Sequence, residues 1–537
     1  MTFRAWIMVV VAAVFLSPAA FAQTVSTFNG GSGASDTNQQ SWTTAGNWNT
    51  GAVPSGTGAW AHINSSTTPV LRILYTSTSF NAGVSGTSLP IGAISFLPTL
   101  ANASGTYGVQ NNSTGTRGTL KLYGINTTVE GASRRFILIN SSTMTNVTFT
   151  QTLAGQDFEL YTSGAMHVTA GTQLTLTPVI RDGAGSQSIT KTGDGVLTLT
   201  GSSELNTYGG GFVMTGGAVQ WASSGTAGLT TPFGLGTITM RSGTFRSTTS
   251  TGKSINSSII LDGSATLGSA DPAFSGNITV NSSGGALATT LASNSVLTIA
   301  GSGSTGWNQS ISGTGSLTKA GSGLLRFTPL STLTHTGSTV VQSGTMIMAG
   351  NLSSASAVSV LNAATLLGTG TIAGATSILS GGIFSPGASS STAGLFTFGS
   401  GRLTLAGQTI LDLSGTTRGT LYDGINLSGG LTYGGSLLLQ FSGTLPEGSY
   451  DLFSGFGSQA GTFSSIGLAG GYSGSLLESS GVWSGTFGSQ TMTFTNSTGT
   501  LVIVPEPSAA LFLSLGSAGV LAGMCRRFRK GHWSADA

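Results

Sequence analysis

The sequence predicts an all-β fold in which short strands wind into a parallel β-helix, or solenoid. Three observations support this: apolar residues alternate with Thr and Ser in short segments, glycines separate those segments, and the stretch that begins at Lys191 recurs from Lys319. Charged residues make up only 7% of the chain, against roughly 25% in ordinary globular domains. The apolar fraction of 39% is large enough to form a core, so low charge does not predict disorder here.

The strand signal is a strict alternation over four or five residues. In Val196–Thr200, Leu197 and Leu199 point to one face and the threonines to the other. Similar segments are Leu174–Leu176, Ile238–Met240, Ile278–Val280, Val296–Ile299, Leu403–Leu405 and Leu437–Phe441, with turns expected at Ser242-Gly243, Gly284-Gly285, Gly381-Gly382 and Gly429-Gly430. No helical period occurs between Gln23 and Pro505, which favours an all-β chain.

One stretch of the sequence occurs twice without gaps. The aligned positions are Lys191 with Lys319, Gly193 with Gly321, Gly195 with Gly323, Leu197 with Leu325, Gly216 with Gly344 and Val219 with Ile347. A repeat of this kind indicates stacked, similar units. Both lysines are expected on the outer surface of such a unit, where a charged side chain reaches water.

Winding explains how so many strands avoid exposed edges. A flat open sheet presents unpaired backbone groups, whereas a parallel solenoid leaves only its two ends open. With roughly 20–25 residues per coil and about 4.8 Å between coils, the body forms about twenty coils and a rod on the order of 100 Å long. A series of β-sandwiches is the alternative architecture.

Residues 1–22 have the form of a secretory signal peptide. Arg4 gives a positive start, Ala5–Leu16 is apolar, and Ala20 and Ala22 form a small-x-small cleavage site before Gln23. The chain is therefore expected to leave the cytoplasm through the secretion translocon, with no nucleic acid as a partner.

The other end predicts a membrane anchor. Val504, Pro505, Glu506 and Pro507 precede residues 508–525, which carry no charge, and a basic stop follows at Arg526, Arg527, Arg529 and Lys530. An apolar span followed by basic residues favours a single transmembrane helix in the inner membrane with a cytoplasmic tail. A plain C-terminal anchor is the simplest interpretation of these residues alone.

Residues 505–537 resemble the PEP-CTERM sorting signal of Gram-negative bacteria, which combines a Pro-Glu-Pro motif, a hydrophobic helix and an Arg-rich end in this order. The resemblance implies an exosortase-type processing enzyme as a partner. It implies anchorage in the inner membrane before processing and a cell-surface or extracellular location afterwards. It also suggests exopolysaccharide as a candidate partner.

The repeat copies, clearest at residues 188–221 and 316–349, resemble the autotransporter-associated β-strand repeat of secreted passenger domains. So do Leu367–Ile372, Ser385–Gly387, Tyr422-Asp423 and Leu431–Gln440. The resemblance implies a right-handed parallel β-helix. The expected organisation is a Trp-containing cap at residues 23–70, the passenger-like helix at 71–400 and a further β-rich part at 401–504. Too few residues follow Val504 for the membrane barrel of an autotransporter.

Charge and cysteine content exclude further classes. Without the signal peptide and tail, the body has 14 basic and 14 acidic residues, so the calculated net charge of +3 comes from the ends. No basic face for nucleic acid is expected. The only cysteine, Cys525, lies in the predicted span, so the body has no disulfide.

No residue set predicts catalysis, a cofactor or a metal. Asp157 and Glu159 lie too close in sequence to straddle a sugar. Four acidic residues adjoin glycine, which favours turns (Asp182, Asp194, Asp262 and Asp423), and the three histidines of the body lack ligand spacing (His62, His167 and His335).

The expectation is therefore a non-enzymatic structural or adhesive protein of the surface or matrix. The alternatives are a β-helix lyase or hydrolase acting on polysaccharide, and a serine-protease-type passenger for which no triad motif is visible. Trp42, Trp48 and Trp60 are expected to cap the first coil, with sugar binding as the other interpretation.

Overall fold

The computed structural model describes residues 157–506, apart from 201–205, 223–231, 249–251, 283–285 and 354–355, together with nine strands between residues 24 and 150. The chain divides into two compact units. The first comprises residues 1–248 and 255–259, and the second comprises 249–254 and 260–537. Among the described residues the structure is all-β, with one short 3₁₀ turn at Pro272–Phe274 and no α-helix, which confirms the predicted class.

The first unit is built from short strands. In chain order they are β1 (Thr24–Phe28), β2 (Gln39–Ser41), β3 (Gly56–Ile63), β4 (Val70–Tyr75), β5 (Ser88–Phe96), β6 (Thr106–Asn111), β7 (Thr119–Leu122), β8 (Arg135–Ile139), β9 (Asn146–Thr150), β10 (Phe158–Leu160), β11 (Gly164–Val168), β12 (Gln173–Leu176), β13 (Ile180–Asp182), β14 (Ile189–Thr192), β15 (Val196–Leu199), β16 (Phe212–Met214), β17 (Ala218–Trp221) and β18 (Ile238–Ser247). Two further strands contain residues of both units: β19 (Lys253–Ile255) and β20 (Ile259–Leu267).

These strands pair in parallel with strands one passage later in the chain. One ladder runs through β7, β10 and β13, a second through β8, β11, β14, β16 and the start of β18, and a third through β9, β12, β15, β17 and the end of β18. We call one passage of the chain along these ladders, from a strand to the next strand of the same ladder, a rung. Leu174 pairs with Leu197 and Leu197 with Val219, so each of these intervals along the chain is the length of one rung.

The second unit continues with β21 (Ile278–Val280), β22 (Ala288–Leu291), β23 (Val296–Ile299), β24 (Ser304–Trp307), β25 (Ser310–Gly313), β26 (Ser316–Lys319), β27 (Leu324–Phe327), β28 (Thr332–Leu333), β29 (Thr339–Val341), β30 (Gly344–Met348), β31 (Asn351–Leu352), β32 (Val358–Val360), β33 (Ala364–Gly368), β34 (Thr371–Ile372), β35 (Thr376–Ile378), β36 (Ile383–Pro386), β37 (Leu395–Phe398), β38 (Leu403–Leu405), β39 (Gln408–Leu413), β40 (Gly424–Leu427), β41 (Gly430–Tyr433), β42 (Ser436–Phe441), β43 (Gly448–Asp451), β44 (Phe453–Ser454), β45 (Ser458–Ala460), β46 (Ser465–Gly470), β47 (Gly474–Ser479), β48 (Val482–Phe487), β49 (Gln490–Thr495) and β50 (Thr500–Pro505).

Three parallel ladders also organise this unit. Ladder A contains β22, β25, β28, β31, β34, β37, β40 and β44; ladder B contains β20, β23, β26, β29, β32, β35, β38, β41 and β45; ladder C contains β21, β24, β27, β30, β33, β36, β39, β42 and β46. Each rung contributes one strand to each of the three ladders. This pattern is compatible with a β-helix.

The core lies between the ladders, where alternate side chains point inward and stack in register. In ladder B, Leu297 pairs with Leu317, and the column continues through Thr339 and Val358. All four are buried. Burying a whole Leu or Val side chain stabilises a fold by about 1.5–3 kcal/mol, and aromatic groups fill wider gaps: Phe384 lies 5.3 Å from Phe396, centroid to centroid.

Two expected turns lie within strands: β20 runs through Asp262-Gly263, and the turn expected at Ser242-Gly243 is a bend within β18. β18 runs without interruption through Ser242-Gly243, where a turn was predicted. Gly243 has a φ of 95°, and the strand passes there from Met240 in the second ladder to Thr244 in the third. Glycine adopts this backbone conformation without strain, so the chain changes ladder without leaving the strand.

The parallel winding ends before the last strands. β46 pairs in parallel with β42 but antiparallel with β47, and β48, β49, β50 and β43 continue the antiparallel sheet. Trp483, Phe494 and Leu501 are buried beneath it. The alternating pattern of residues 401–504 does not distinguish this antiparallel sheet from the parallel strands before it.

Candidate functional site

Both lysines of the repeat are buried, and the expectation that they lie on the outer surface was wrong. The exposed fraction is 0% for Lys191 and 2% for Lys319. Each follows an inward-pointing apolar residue by two positions, Ile189 in β14 and Leu317 in β26. Strand alternation therefore directs the lysine inward, and the two-residue spacing from the apolar residue is the sequence signal that predicts this burial.

Each ammonium group lies among three backbone carbonyls. Lys191 Nζ donates to Thr192 O at 3.1 Å, Gly193 O at 2.6 Å and Gly216 O at 3.1 Å. Lys319 Nζ donates to Ala320 O at 2.7 Å, Gly321 O at 2.8 Å and Ser343 O at 3.2 Å. An ammonium has three N–H donors, so each lysine ties its own turn to the turn of the next rung.

The glycines of the repeat make this arrangement possible. Gly193 and Gly321, two residues after each lysine, have φ values of 76° and 71°. A positive φ turns the carbonyl back toward the ammonium, and glycine accepts it without a steric cost. Burial lowers the pKa of both lysines to about 8, and for Lys191 the charge of Asp194 partly opposes the shift.

The acidic residues near the start of the repeat have structural partners. Asp157 forms an ion pair with Arg181, with Nε and Oδ2 2.6 Å apart. Asp182 accepts hydrogen bonds from the backbone N–H groups of Gln187 and Gly209, both at 2.8 Å. Asp182 therefore acts in a turn, as expected from its Gly neighbour, and also joins consecutive rungs.

Asp412 and Asp423 form an acidic pair at the base of an excursion between β39 and β40. Asp423 is fully buried and accepts N–H bonds from Gly394 (2.6 Å) and Asp412 (2.8 Å). Burial, strengthened by the nearby charge of Asp412, raises the pKa of Asp423 to about 8, although both N–H bonds oppose it. Burial raises the pKa of Asp412 to about 6. Both carboxylate oxygens of Asp423 thus accept hydrogen bonds from backbone N–H groups and do not face an open cleft.

The histidines with described side chains bond to hydroxyl groups. His167 Nδ1 lies 3.0 Å from Thr192 Oγ1, and His335 Nε2 lies 2.9 Å from Thr339 Oγ1. Burial lowers the pKa of His335 to about 4, so it is neutral at pH 7. In the part of the chain that the structure describes, no group of three or more His, Cys, Asp or Glu side chains is placed to hold a metal ion.

Val504 and Pro505, the first two residues of the predicted sorting motif Val504–Pro507, end the last strand, and Glu506 follows it. Val504 pairs with Thr491 and Pro505 with Gln490, and Glu506 N donates to Ser489 O at 2.7 Å. On its other side β50 pairs with β43 only as far as Ile503. The motif residues Val504, Pro505 and Glu506 are exposed, and their backbone is paired along one edge only.

The remaining predicted positions lie outside the described residues: the signal cleavage positions Ala20, Ala22 and Gln23, the motif's Pro507, the span 508–525, the basic stop Arg526, Arg527, Arg529 and Lys530, and the tryptophans Trp42 and Trp48. Within the described ranges no helix is long and apolar enough to cross a membrane.

These features define an all-β chain with parallel ladders and buried structural polar groups. No protein-family model matches the chain, and no curated protein or solved structure matches it either.

Proposed function

We propose that this chain is an exported, non-enzymatic structural or adhesive protein of the cell surface or extracellular matrix. Its framework would be a right-handed parallel β-solenoid, delivered by a signal peptide at residues 1–22 and held by a single transmembrane helix at 508–525. The parallel ladders with in-register inward columns support the solenoid.

The observation that carries the proposal is a column of small polar side chains on the outside of ladder B. In register, these are Thr298, Thr318, Val340, Ser359, Ser377, Thr404 and Thr432. All are partly exposed, and six of the seven carry a hydroxyl. Parallel strands repeat at about 4.8 Å, so the column is a neutral, periodic surface. Many weak contacts along such a surface add up to useful adhesion.

The enzyme alternative has one observation in its favour, the buried pair Asp412 and Asp423 with raised pKa values. Catalytic acids often have such pKa values. A glycoside hydrolase, however, needs two carboxyl groups facing a sugar across a cleft, whereas Asp423 uses both oxygens on backbone N–H groups. Turnover of a polysaccharide by the purified chain that is abolished by Asp412→Asn would favour the enzyme.

Delivery is proposed from the two ends. The secretion translocon would take the chain across the inner membrane, and an exosortase-type processing enzyme would act at Val504–Pro507. The motif's exposed position at the end of β50 is compatible with access by such an enzyme. After processing, the body would be released to the surface, where exopolysaccharide is the proposed partner.

Mass spectrometry of the protein from fractionated cells tests this function. The expected mature chain begins at Gln23, ends near the Pro-Glu-Pro motif and occurs in the surface or medium fraction. Glu506→Gln should leave the full tail on the chain and retain it in the inner membrane, whereas Glu447→Gln, an exposed acid elsewhere in the second unit, should be processed normally. A chain found intact in the cytoplasm would refute the proposal.

A further inference from the structure

An open groove of about 530 Å³ lies on the outer side of ladder C in the second unit. Its lining comprises the outward faces of β24, β27, β30 and β33 and a loop that follows β36. The solenoid proposal and the adhesive role do not by themselves assign any ligand to it.

The floor of the groove is apolar. Leu324 is partly exposed, and Ile347 and Leu367 have exposed fractions of 6% and 7%. Ile347 and Leu367 pair in register in neighbouring rungs, and Leu324 pairs with Thr345. These side chains point away from the core, so the floor is a narrow apolar strip on an otherwise hydroxyl-rich surface.

The rim carries hydroxyl and amide groups in fixed positions. Ser302 and Ser322 occupy equivalent turns of successive rungs, since Gly323 N donates to Gly301 O at 2.8 Å. Asn277 is exposed and also lines the groove, and its Oδ1 accepts from Ser304 N at 2.8 Å.

The opposite wall is a loop held by a hydrogen bond to β33 and by another within the loop itself. Gly387 N donates to Gly368 O at 2.7 Å, and Ser389 N donates to Thr392 Oγ1 at 3.1 Å. These bonds hold Ala388, Ser389 and Ser390 against the groove. The wall is therefore formed before any ligand arrives, which reduces the ordering cost of binding.

We propose that this groove binds a segment of a neutral polysaccharide chain. The apolar strip suits the C–H face of a pyranose ring, and the hydroxyl and amide rim suits its O–H groups, each of which donates and accepts. None of the lining residues is ionisable. The exposed cation Arg326 pairs with Ile347 on the same face but lies outside the lining. Over the lining itself an acidic polymer would lose hydration without gaining an opposite charge, so the neutral class is favoured.

The inference rests on the proposed adhesive function and names its ligand class. Binding is measured by calorimetry on the full chain in detergent micelles, with neutral hexaoses of the cello, laminari and chito series and with oligogalacturonate as the acidic probe. Ser322→Trp places an indole in the groove, and Ser390→Trp does so from the loop wall. Thr332→Trp, exposed on the outside of ladder A, is the matched control.

The expected result is saturable binding of at least one neutral hexaose, with a dissociation constant on the order of 0.1–1 mM that does not depend on salt. Both groove variants should weaken it at least about tenfold and the control less than about twofold. Preference for oligogalacturonate, no neutral binding, or wild-type affinity in both groove variants would overturn the proposal. If the mature chain still reaches the surface in that case, the adhesive function survives and only the groove fails; a cytoplasmic chain would refute the function itself.

Discussion

Lys319 donates a hydrogen bond from its ammonium to the carbonyl oxygen of Ser343, 3.2 Å away and one rung further along the chain. Lys191 likewise reaches the next rung, at Gly216 O, one position later in the repeat than Ser343. A buried charge is costly unless polar groups surround it, and here three carbonyls do so. Each lysine thus joins two consecutive rungs, and this contact is the structural role of the lysine in the Lys-x-Gly-x-Gly pattern.

Replacing this lysine should loosen the rungs that it joins. Lys319→Met keeps an unbranched apolar stem but removes the ammonium donor from three inward carbonyls, of which Gly321 O keeps a hydrogen bond from Ser343 Oγ. A buried unsatisfied group costs about 1–3 kcal/mol, so the free energy of unfolding of this region should fall by about 2–3 kcal/mol. Hydrogen exchange of the amides of β26 and β30 measures it.

Arg326→Met is the control for Lys319→Met, because Arg326 is an exposed cation on the outside of ladder C. It should change stability by less than about 0.5 kcal/mol. Equal effects of the two substitutions would show that Lys319 does not join the rungs.

Stability should increase on the alkaline side of neutrality. Lys191 and Lys319 have a folded pKa of about 8 and an ordinary value of 10.5. Between these values the unfolded chain binds more protons, so the free energy of unfolding rises with pH across the window. Burial raises the pKa of Tyr433, and ionisation of this tyrosine in the unfolded chain opposes the trend above about pH 10.

Urea unfolding at intervals from pH 8 to 10 checks this pH dependence. The double variant Lys191→Met, Lys319→Met should show a smaller increase than the wild-type protein. An identical slope in both proteins would contradict the assignment of the shift to these lysines.

Between about pH 6.5 and 8 the acidic pair Asp412 and Asp423 should make the free energy of unfolding fall as pH rises. The pKa of Asp423 is raised to about 8 from 3.8, so its contribution to stability is complete at low pH and is lost as pH rises through the folded pKa. His335, with its lowered pKa, acts below this window. Asp412→Asn removes the charge near Asp423 and should reduce this loss of stability between pH 6.5 and 8. The control Glu447→Gln should leave the loss unchanged. Denaturant titrations at pH 6.5 and 8 measure the free energy of unfolding of both variants and of the wild-type protein.

Asp182 offers a test of the turn that joins two rungs of the first unit. Asp182→Ala removes the acceptor for Gln187 N and Gly209 N, which should cost about 1–2 kcal/mol. Both amides should then exchange faster by roughly tenfold or more. Asp194→Ala is the matched control, since Asp194 also adjoins a glycine but is exposed; faster exchange in both variants would argue against a specific role.

The sequence predicts the strands but not all of the residues that their side chains contact. Alternation at Leu197 and Leu199 predicts an inward face, and the repeat predicts stacking, because both are local patterns. The acceptor for Lys319 on Ser343 and the donor for Asp423 on Gly394 lie 24 and 29 residues away. Their positions depend on the register between rungs, which no local pattern specifies. Alternation is also the same in parallel and antiparallel strands, so β47–β50 were not distinguished.

The groove could not be predicted from the sequence for the same reason. Ser302, Ser322 and Ser390 are unremarkable serines in a chain rich in them. They meet only because Gly323 stacks on Gly301 and Gly387 bonds to Gly368. The motif at Val504–Pro507 could be found from the sequence because its residues are contiguous.

Pairs of spin labels test the stacked-rung framework most directly. With Cys525→Ser, labels at Thr298 and Thr404, and then at Thr298 and Thr432, span five and six register steps of ladder B. At about 4.8 Å per step the distances should be about 24 Å and about 29 Å. Distances that do not increase from the first pair to the second would contradict the solenoid, and with it the periodic surface on which the proposed adhesion depends.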